Sequence, residues 1–216
     1  FFIAESVIEE RTVEANFSSL QASVKQIETE YANLTSFTVS ISQLPALQRV
    51  MTKNIASDAG ESYALRSAIE VLPTYQNSRF VTRYYIYSDL NGFVVEPGRA
   101  LIAPLEKYYA GMLAYGEYTY PQFLSEILMR PGAAKFYPAD TAYCEGAPAR
   151  SILYAFDLYL LMMRRYGKIV YYIDEKALLD MIRLQEVSYF CIADKDGTTL
   201  ASYSLDGQAD QAPRLT

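Results

Sequence analysis

The sequence contains no histidine and no tryptophan, and only two of its 216 residues are cysteine. Without histidine there can be no Ser–His or Cys–His nucleophile pair, and the commonest zinc ligand is missing. Cys144 and Cys191 are too few for a structural zinc site. Whether they pair is open, because a disulfide needs a close Cα approach that sequence alone does not give. The plain reading is a buried Cys191 in a strand and a free Cys144 thiol in a loop. Positive charge is scarce as well. Nineteen Lys and Arg stand against 25 Asp and Glu, for a net charge of −6, which argues against binding to a nucleic-acid backbone. No run reaches the ~18 apolar residues of a membrane span. No glycine-rich phosphate loop and no Gly-x-Ser-x-Gly elbow is present. No catalytic residue, metal or cofactor is therefore assigned, and a non-enzymatic protein is expected; a hydrolase built on two distant carboxylates is the one enzymatic alternative.

What the sequence does have is apolar content of 51%, enough to bury a sizeable core, and 20 tyrosines. Val13, Phe17, Leu20, Val24, Ile27, Tyr31, Leu34, Thr38 and Ile41 recur at alternating spacings of four and three. That pattern predicts one long helix over about residues 5 to 43, roughly 58 Å in length, with a narrow apolar seam. The seam suits either a helix packed on its own domain or a stalk and homodimer helix. Pro45 breaks it, and shorter helices are expected over 46–55 and 61–72. Beyond Pro73 the period changes to two. Val81–Tyr87 reads as a strand, Ser88–Gly92 as a turn and Phe93–Val95 as its return. Short helices are expected from Pro104 and from Pro121, each with proline near its N-terminus. The stretch 131–148, rich in Gly, Pro and Ala, is expected to be loop. Strands follow over 151–160 and 168–173, then a helix from Glu175 capped by Asp174. A last hairpin covers 188–203, with the turn Asp194-Lys195-Asp196-Gly197. The fold class expected is α+β, with a long N-terminal helix and short helices packed on one face of an antiparallel sheet.

Strand alternation supplies the candidate ligand-binding residues. Arg83, Tyr85 and Tyr87 share one face of their strand, and Asp157 and Tyr159 share a face of another. If the two faces coincide, the sheet surface carries a guanidinium, a carboxylate and three phenols, with Tyr109 added from the tyrosine-rich segment. Arginine can grip a carboxylate or phosphate through parallel hydrogen bonds, and tyrosine offers apolar area with one polar tip. The plain alternative is an Arg83–Asp157 cross-strand pair among ordinary strand tyrosines.

Three segments carry a resemblance. The text Tyr84-Tyr85-Ile86-Tyr87-Ser88-Asp89-Leu90-Asn91-Gly92-Phe93-Val94-Val95 follows the long helix. Gly167-Lys168-Ile169-Val170-Tyr171-Tyr172-Ile173-Asp174 closes a first module, and Phe190-Cys191-Ile192-Ala193-Asp194-Lys195-Asp196-Gly197 opens a hairpin. Together they resemble extracellular double-Cache, PAS-like sensor domains of bacterial membrane-anchored AraC-type regulators and sensor histidine kinases. The resemblance implies a helical lead-in over 1–74, a sensor module over 75–184, and the start of a second module or a C-terminal hairpin over 185–216. It also implies a small-molecule ligand, an extracellular location and membrane attachment through flanking spans, of which Phe1-Phe2-Ile3 fits the trailing edge. The Arg-x-Trp-Tyr string by which some members bind amino acids is absent, so amino-acid binding is not implied.

Overall fold

The computed structural model describes residues 2–54, 59–72, 80–102, 104–132, 134–144, 147–160, 164–182 and 189–204. The side chains of 2–12, 59–62 and 144 are outside that description, as are the expected prolyl break at Pro73 and the Met162–Met163 turn. Helix α1 spans Phe2–Ser42. It carries many β-branched and hydroxylic residues, which are poor helix formers. Ser23, Thr29, Thr35, Thr38 and Ser40 accommodate the helix by donating their hydroxyls to the carbonyl four residues back. Pro45 opens α2 (Pro45–Thr52), and α3 (Ala59–Val71) packs beside it.

The main sheet has six antiparallel strands: β1 (Val81–Ser88), β2 (Val94–Glu96), β3 (Arg99–Leu101), β4 (Lys135–Cys144), β5 (Ala147–Leu160) and β6 (Arg164–Asp174). Their order is β3-β2-β1-β6-β5-β4. The first and last strands of the module, β1 and β6, are therefore central neighbours, with Arg83 opposite Tyr172 and Tyr87 opposite Lys168. One face buries Tyr84, Ile86, Tyr154, Ile169 and Tyr171 against Leu34 and Ile41 of α1 and Leu47, Val50 and Met51 of α2. Thr38 Oγ1 and the Tyr171 hydroxyl lie 2.7 Å apart across this interface, and Tyr154 donates to the Tyr31 hydroxyl at 3.1 Å.

The other face is also covered. A cap formed by α4 (Glu106–Tyr108) running into a π-helical turn, Tyr109–Leu113, and by α5 (Tyr120–Phe123) running into a second, Leu124–Leu128, buries Tyr85, Tyr87, Val170 and Tyr172. Helices thus occupy both faces rather than the single face expected. The α5 start uses Thr119 and Gln122 in a capping box.

Three further differences have local causes. The stretch 131–148 is not loop, since β4 fills most of it. β4 is an edge strand, and Pro138 falls in its Tyr137/Asp140 bulge, where a missing amide proton breaks no ladder. Pro97 and Gly98 (φ 83°) turn β2 into an additional short strand, β3. The seam of α1 divides. Leu34, Thr38 and Ile41 are buried on the domain, whereas Val13, Phe17, Leu20 and Val24 are 41–68% exposed. Residues facing the domain, such as Ser23 (bonded to Met181 O), Ile27 and Leu34, lie on average roughly 70° around the helix from that exposed stripe at 100° per residue.

Asp174 caps α6 (Glu175–Leu179) by accepting from the Ala177 amide at 2.7 Å. β7 (Tyr189–Ala193) and β8 (Thr199–Ser204) form a separate two-stranded sheet. Its turn is closed by Asp194 Oδ1, which accepts from the amides of Asp196 and Thr198. Leu200 and Ala201 reach the helix-side core. Cys191 is unpaired and half-buried on β7 rather than fully buried; the Cys144 side chain lies outside the description. Among the described residues no helix is long and apolar enough to cross a membrane.

Candidate functional site

The faces of Arg83 and Asp157 coincide. Asp157 is opposite Lys168, Lys168 is opposite Tyr87, and Leu153 and Arg83 both flank Tyr172. The expected residues nevertheless fall into two clusters, because Tyr172 and Lys168 are four residues apart on β6, about 13 Å. The alternative Arg83–Asp157 pair does not form.

The first cluster centres on Arg83, whose side chain is only 9% exposed. Its Nε donates to Glu96 Oε2 at 2.7 Å and its Nη1 to the Met112 carbonyl at 2.6 Å. That carbonyl lies in the first π-helical turn, so the guanidinium fastens the cap to the sheet. Arg99 engages the other Glu96 oxygen. Arg83 Nη2 and the Tyr85 hydroxyl are buried and make no hydrogen bond. The Arg83 Cζ is 5.7 Å from the Tyr85 ring centre and 5.6 Å from that of Tyr172, within cation–π range. Burial, and then the neighbouring Tyr172 phenol, push Tyr85 well above its ordinary pKa, so the hydroxyl keeps its proton. Tyr109, in the roof, packs on Tyr120 and Phe123, and its hydroxyl donates to Tyr118 O at 2.5 Å. Tyr115 and Tyr137 likewise donate to backbone carbonyls, of Pro138 and Glu126.

The second cluster contains the other expected residues. Asp157, fully buried, lies 3.1 Å from Lys168 Nζ and 3.2 Å from Arg165 Nε, and accepts from the Gly132 amide at 2.9 Å. Arg165 also pairs with Asp89 and donates to the carbonyls of Leu128 and Met129; Lys168 donates to that of Arg130. These cations fasten the end of the second π-helical turn as Arg83 fastens the first. Desolvation lowers the Lys168 pKa against the opposing pull of Asp157. Tyr159 sits at the exposed edge, 3.4 Å from Asp157. Tyr87 is buried beside this cluster and is pushed up to about 12, by burial first and by Asp89 second.

Sequence reasoning missed Glu96, Tyr172, Arg165 and Lys168. Glu96 was readable in principle, since Val94 and Glu96 share a face of the return strand. No group of three or more potential metal ligands occurs among the described residues.

No protein-family model matches the sequence, and no curated protein matches it. Solved structures do. The sensory domain of the Campylobacter jejuni chemoreceptor Tlp3, with isoleucine bound, superposes with a TM-score of 0.52 at 13% identity, over 91% of this chain and 73% of that one. The fold is that of a chemoreceptor sensory domain. The periplasmic sensory domain of Campylobacter jejuni Tlp1 (TM-score 0.49, 11% identity, 88% and 70% covered) is also similar. So is the ligand-binding domain of Pseudomonas fluorescens CtaA in complex with L-isoleucine (0.49, 12%, 91% and 70%).

Proposed function

We propose that this chain is the extracytoplasmic ligand-sensing domain of a bacterial transmembrane signalling protein, non-enzymatic, that takes a small molecule between the Arg83 face of the sheet and the π-helical cap. The observation that carries this reading is a nine-tenths-buried guanidinium with an unused N–H beside an unbonded Tyr85 hydroxyl, under a roof that the same guanidinium holds in place. The sensory-domain fold and the isoleucine bound to the Tlp3 domain support a small-molecule ligand. A ligand that competes with Met112 O for Arg83 binds the two arrangements of the cap with different affinity, and only such a difference shifts a population. The double-Cache resemblance supports an AraC-type regulator or a sensor histidine kinase as the whole protein, with the divisions 1–74, 75–184 and 185–216. Sequencing the flanking codons for apolar spans tests that part. The site is tested by a thermal-shift screen of small polar metabolites. A compound that raises Tm in the parent and not in Arg83→Lys supports it; stabilisation that survives in Arg83→Lys refutes it.

A second reading, homodimerisation through α1, is favoured by the exposed stripe Val13, Phe17, Leu20 and Val24. Sedimentation equilibrium should show a concentration-dependent mass that falls to the monomer in Leu20→Glu/Val24→Glu, with Tm unchanged. A parent that is monomeric at all concentrations removes this reading.

A further inference from the structure

The turn between β1 and β2 fastens the sheet to the helix layer through a side-chain amide. α2 ends at Thr52, and the last carbonyls of a helix need partners from outside it. Asn91 Nδ2 donates to two carbonyls at this end, those of Lys53 at 2.8 Å and Val50 at 3.2 Å, and also lies 3.4 Å from Ser88 Oγ. The turn behind it is held in shape. The Asn91 amide donates to Ser88 Oγ at 3.2 Å, and the Gly92 amide to the Ser88 carbonyl at 3.0 Å, with Gly92 at φ 62°. Since α2 also buries Leu47, Val50 and Met51 in the main core, this clasp and the apolar face hold the same helix. The clasp requires an amide. A carboxylate of the same shape has no hydrogen to offer, and would set a negative oxygen against two carbonyl oxygens at the negative end of the α2 dipole.

The same residue stands in the only Asn-Gly pair of the sequence, the dipeptide most open to loss of that amide. Glycine has no side chain to crowd its backbone nitrogen, so the Gly92 nitrogen can attack Asn91 Cγ. A bond forms between them, the Cγ–Nδ2 bond breaks, and ammonia leaves with the Gly92 proton. Water then opens the cyclic imide at either carbonyl, giving an aspartyl or an isoaspartyl residue. In the closed turn the step is blocked twice. The hydrogen on the attacking nitrogen is engaged by Ser88 O, and the side chain to be attacked is held on α2. The reaction therefore runs from the state in which the turn has let go of α2, a local opening rather than global unfolding. We propose that Asn91-Gly92 is a one-way modification site, which deamidates when the clasp opens and whose carboxylate product keeps the clasp open. The proposal is independent of the Arg83 site.

The test holds the 216-residue chain in mildly alkaline buffer with and without urea, and follows acid formation at Asn91 by peptide mapping and mass spectrometry. Conversion is expected in urea, with the folded chain slower by roughly tenfold or more, as the opening of two hydrogen bonds implies. Asn91→Asp reproduces the aspartyl product. It should lower Tm by roughly 4–8 °C and speed hydrogen exchange of the α2 amides roughly tenfold or more. Asn91→Ala, which removes the donor without adding charge, should shift both less. No conversion in urea overturns the modification site. Equal rates in the folded and unfolded chain overturn the gate. An Asn91→Asp chain that matches the parent, or is no worse than Asn91→Ala, overturns the effect of the product. Should Asn91→Asp fail to fold, the converted fraction of the folded parent, separated by ion exchange, supplies the same comparison of Tm and exchange.

Discussion

Replacing Asp157 by asparagine removes one negative charge from a buried cluster while leaving an oxygen to accept from Gly132. The parent carboxylate is fully buried and faces Lys168, whose side chain is only 4% exposed, and Arg165. Removing one partner of a buried pair costs about 3–5 kcal/mol, because the remaining charge stays desolvated. Arg165 retains Asp89 at 3.1 Å, so the loss concentrates on Lys168 and the low end applies, about 3 kcal/mol. For a chain of this size that lowers Tm by roughly 6–12 °C. The pH dependence identifies the cause. Lys168 in the folded state has a pKa below its ordinary value, so above that folded pKa the unfolded chain binds more protons. Stability from this group therefore rises as pH climbs through the folded pKa towards 10.5. In Asp157→Asn the main influence holding the pKa up is gone, so the folded pKa falls further and that interval widens. The deficit of the variant relative to the parent should shrink as the pH is raised towards 10.5, measured by urea unfolding. The double variant Asp157→Leu/Lys168→Met should recover most of the loss, since replacing both charges by packed apolar groups is often neutral. A single-variant cost under about 1 kcal/mol, or a deficit independent of pH, would refute this account of the cluster.

Gly167 lies opposite Ser88, and a Cβ there would sit 2.2 Å from the Tyr87 carbonyl oxygen, whereas Gly111 has open space around it. Gly167→Ala should cost about 1–3 kcal/mol by chemical denaturation while Gly111→Ala is neutral; equal effects would show that the strand yields freely. Burial raises the pKa of Tyr84, Tyr85, Tyr115, Tyr154 and Tyr166 well above the ordinary phenol value, and that of Tyr137 to about 12. The folded chain then holds phenolic protons that the unfolded chain loses near pH 10, so this stability is full below pH 10 and declines above it. Absorbance at 295 nm should rise in two stages, the second of them cooperative with unfolding; one smooth transition at pH 10 would contradict the burial.

Strand alternation and helix periodicity were strong enough in the sequence to set the fold class. β1, β6, α1 and the Asp174 cap all follow from patterns local to a few turns or residues. β4 escaped because Pro138 and the surrounding small residues are turn chemistry, and an edge bulge tolerates them for reasons that only sheet order supplies. The shared face of Arg83 and Asp157 was readable from alternation. Their partners were not, because register decides which residues stand opposite, and a four-residue offset along β6 separates groups of the same face. Arg83 therefore meets Glu96 from the neighbouring hairpin, and Asp157 meets Lys168.

Adjacent tyrosines on the two central strands have a mechanical consequence. Tyr84 and Tyr171 pack on Phe37 of α1, and their chain neighbours Tyr85 and Tyr172 face Arg83 on the opposite side. A single peptide unit separates the two faces at each strand, so a tilt imposed under the cap is also a tilt of the seat on which α1 rests. From Ser23, whose hydroxyl donates to Met181 O, α1 runs on to Phe2 as an arm of about 32 Å. A rotation of about 2° at the seat moves the tip of that arm by about 1 Å. The arm converts side-chain rearrangements at an enclosed site into displacement at a distance, with a gain fixed by the number of helical turns beyond the seat.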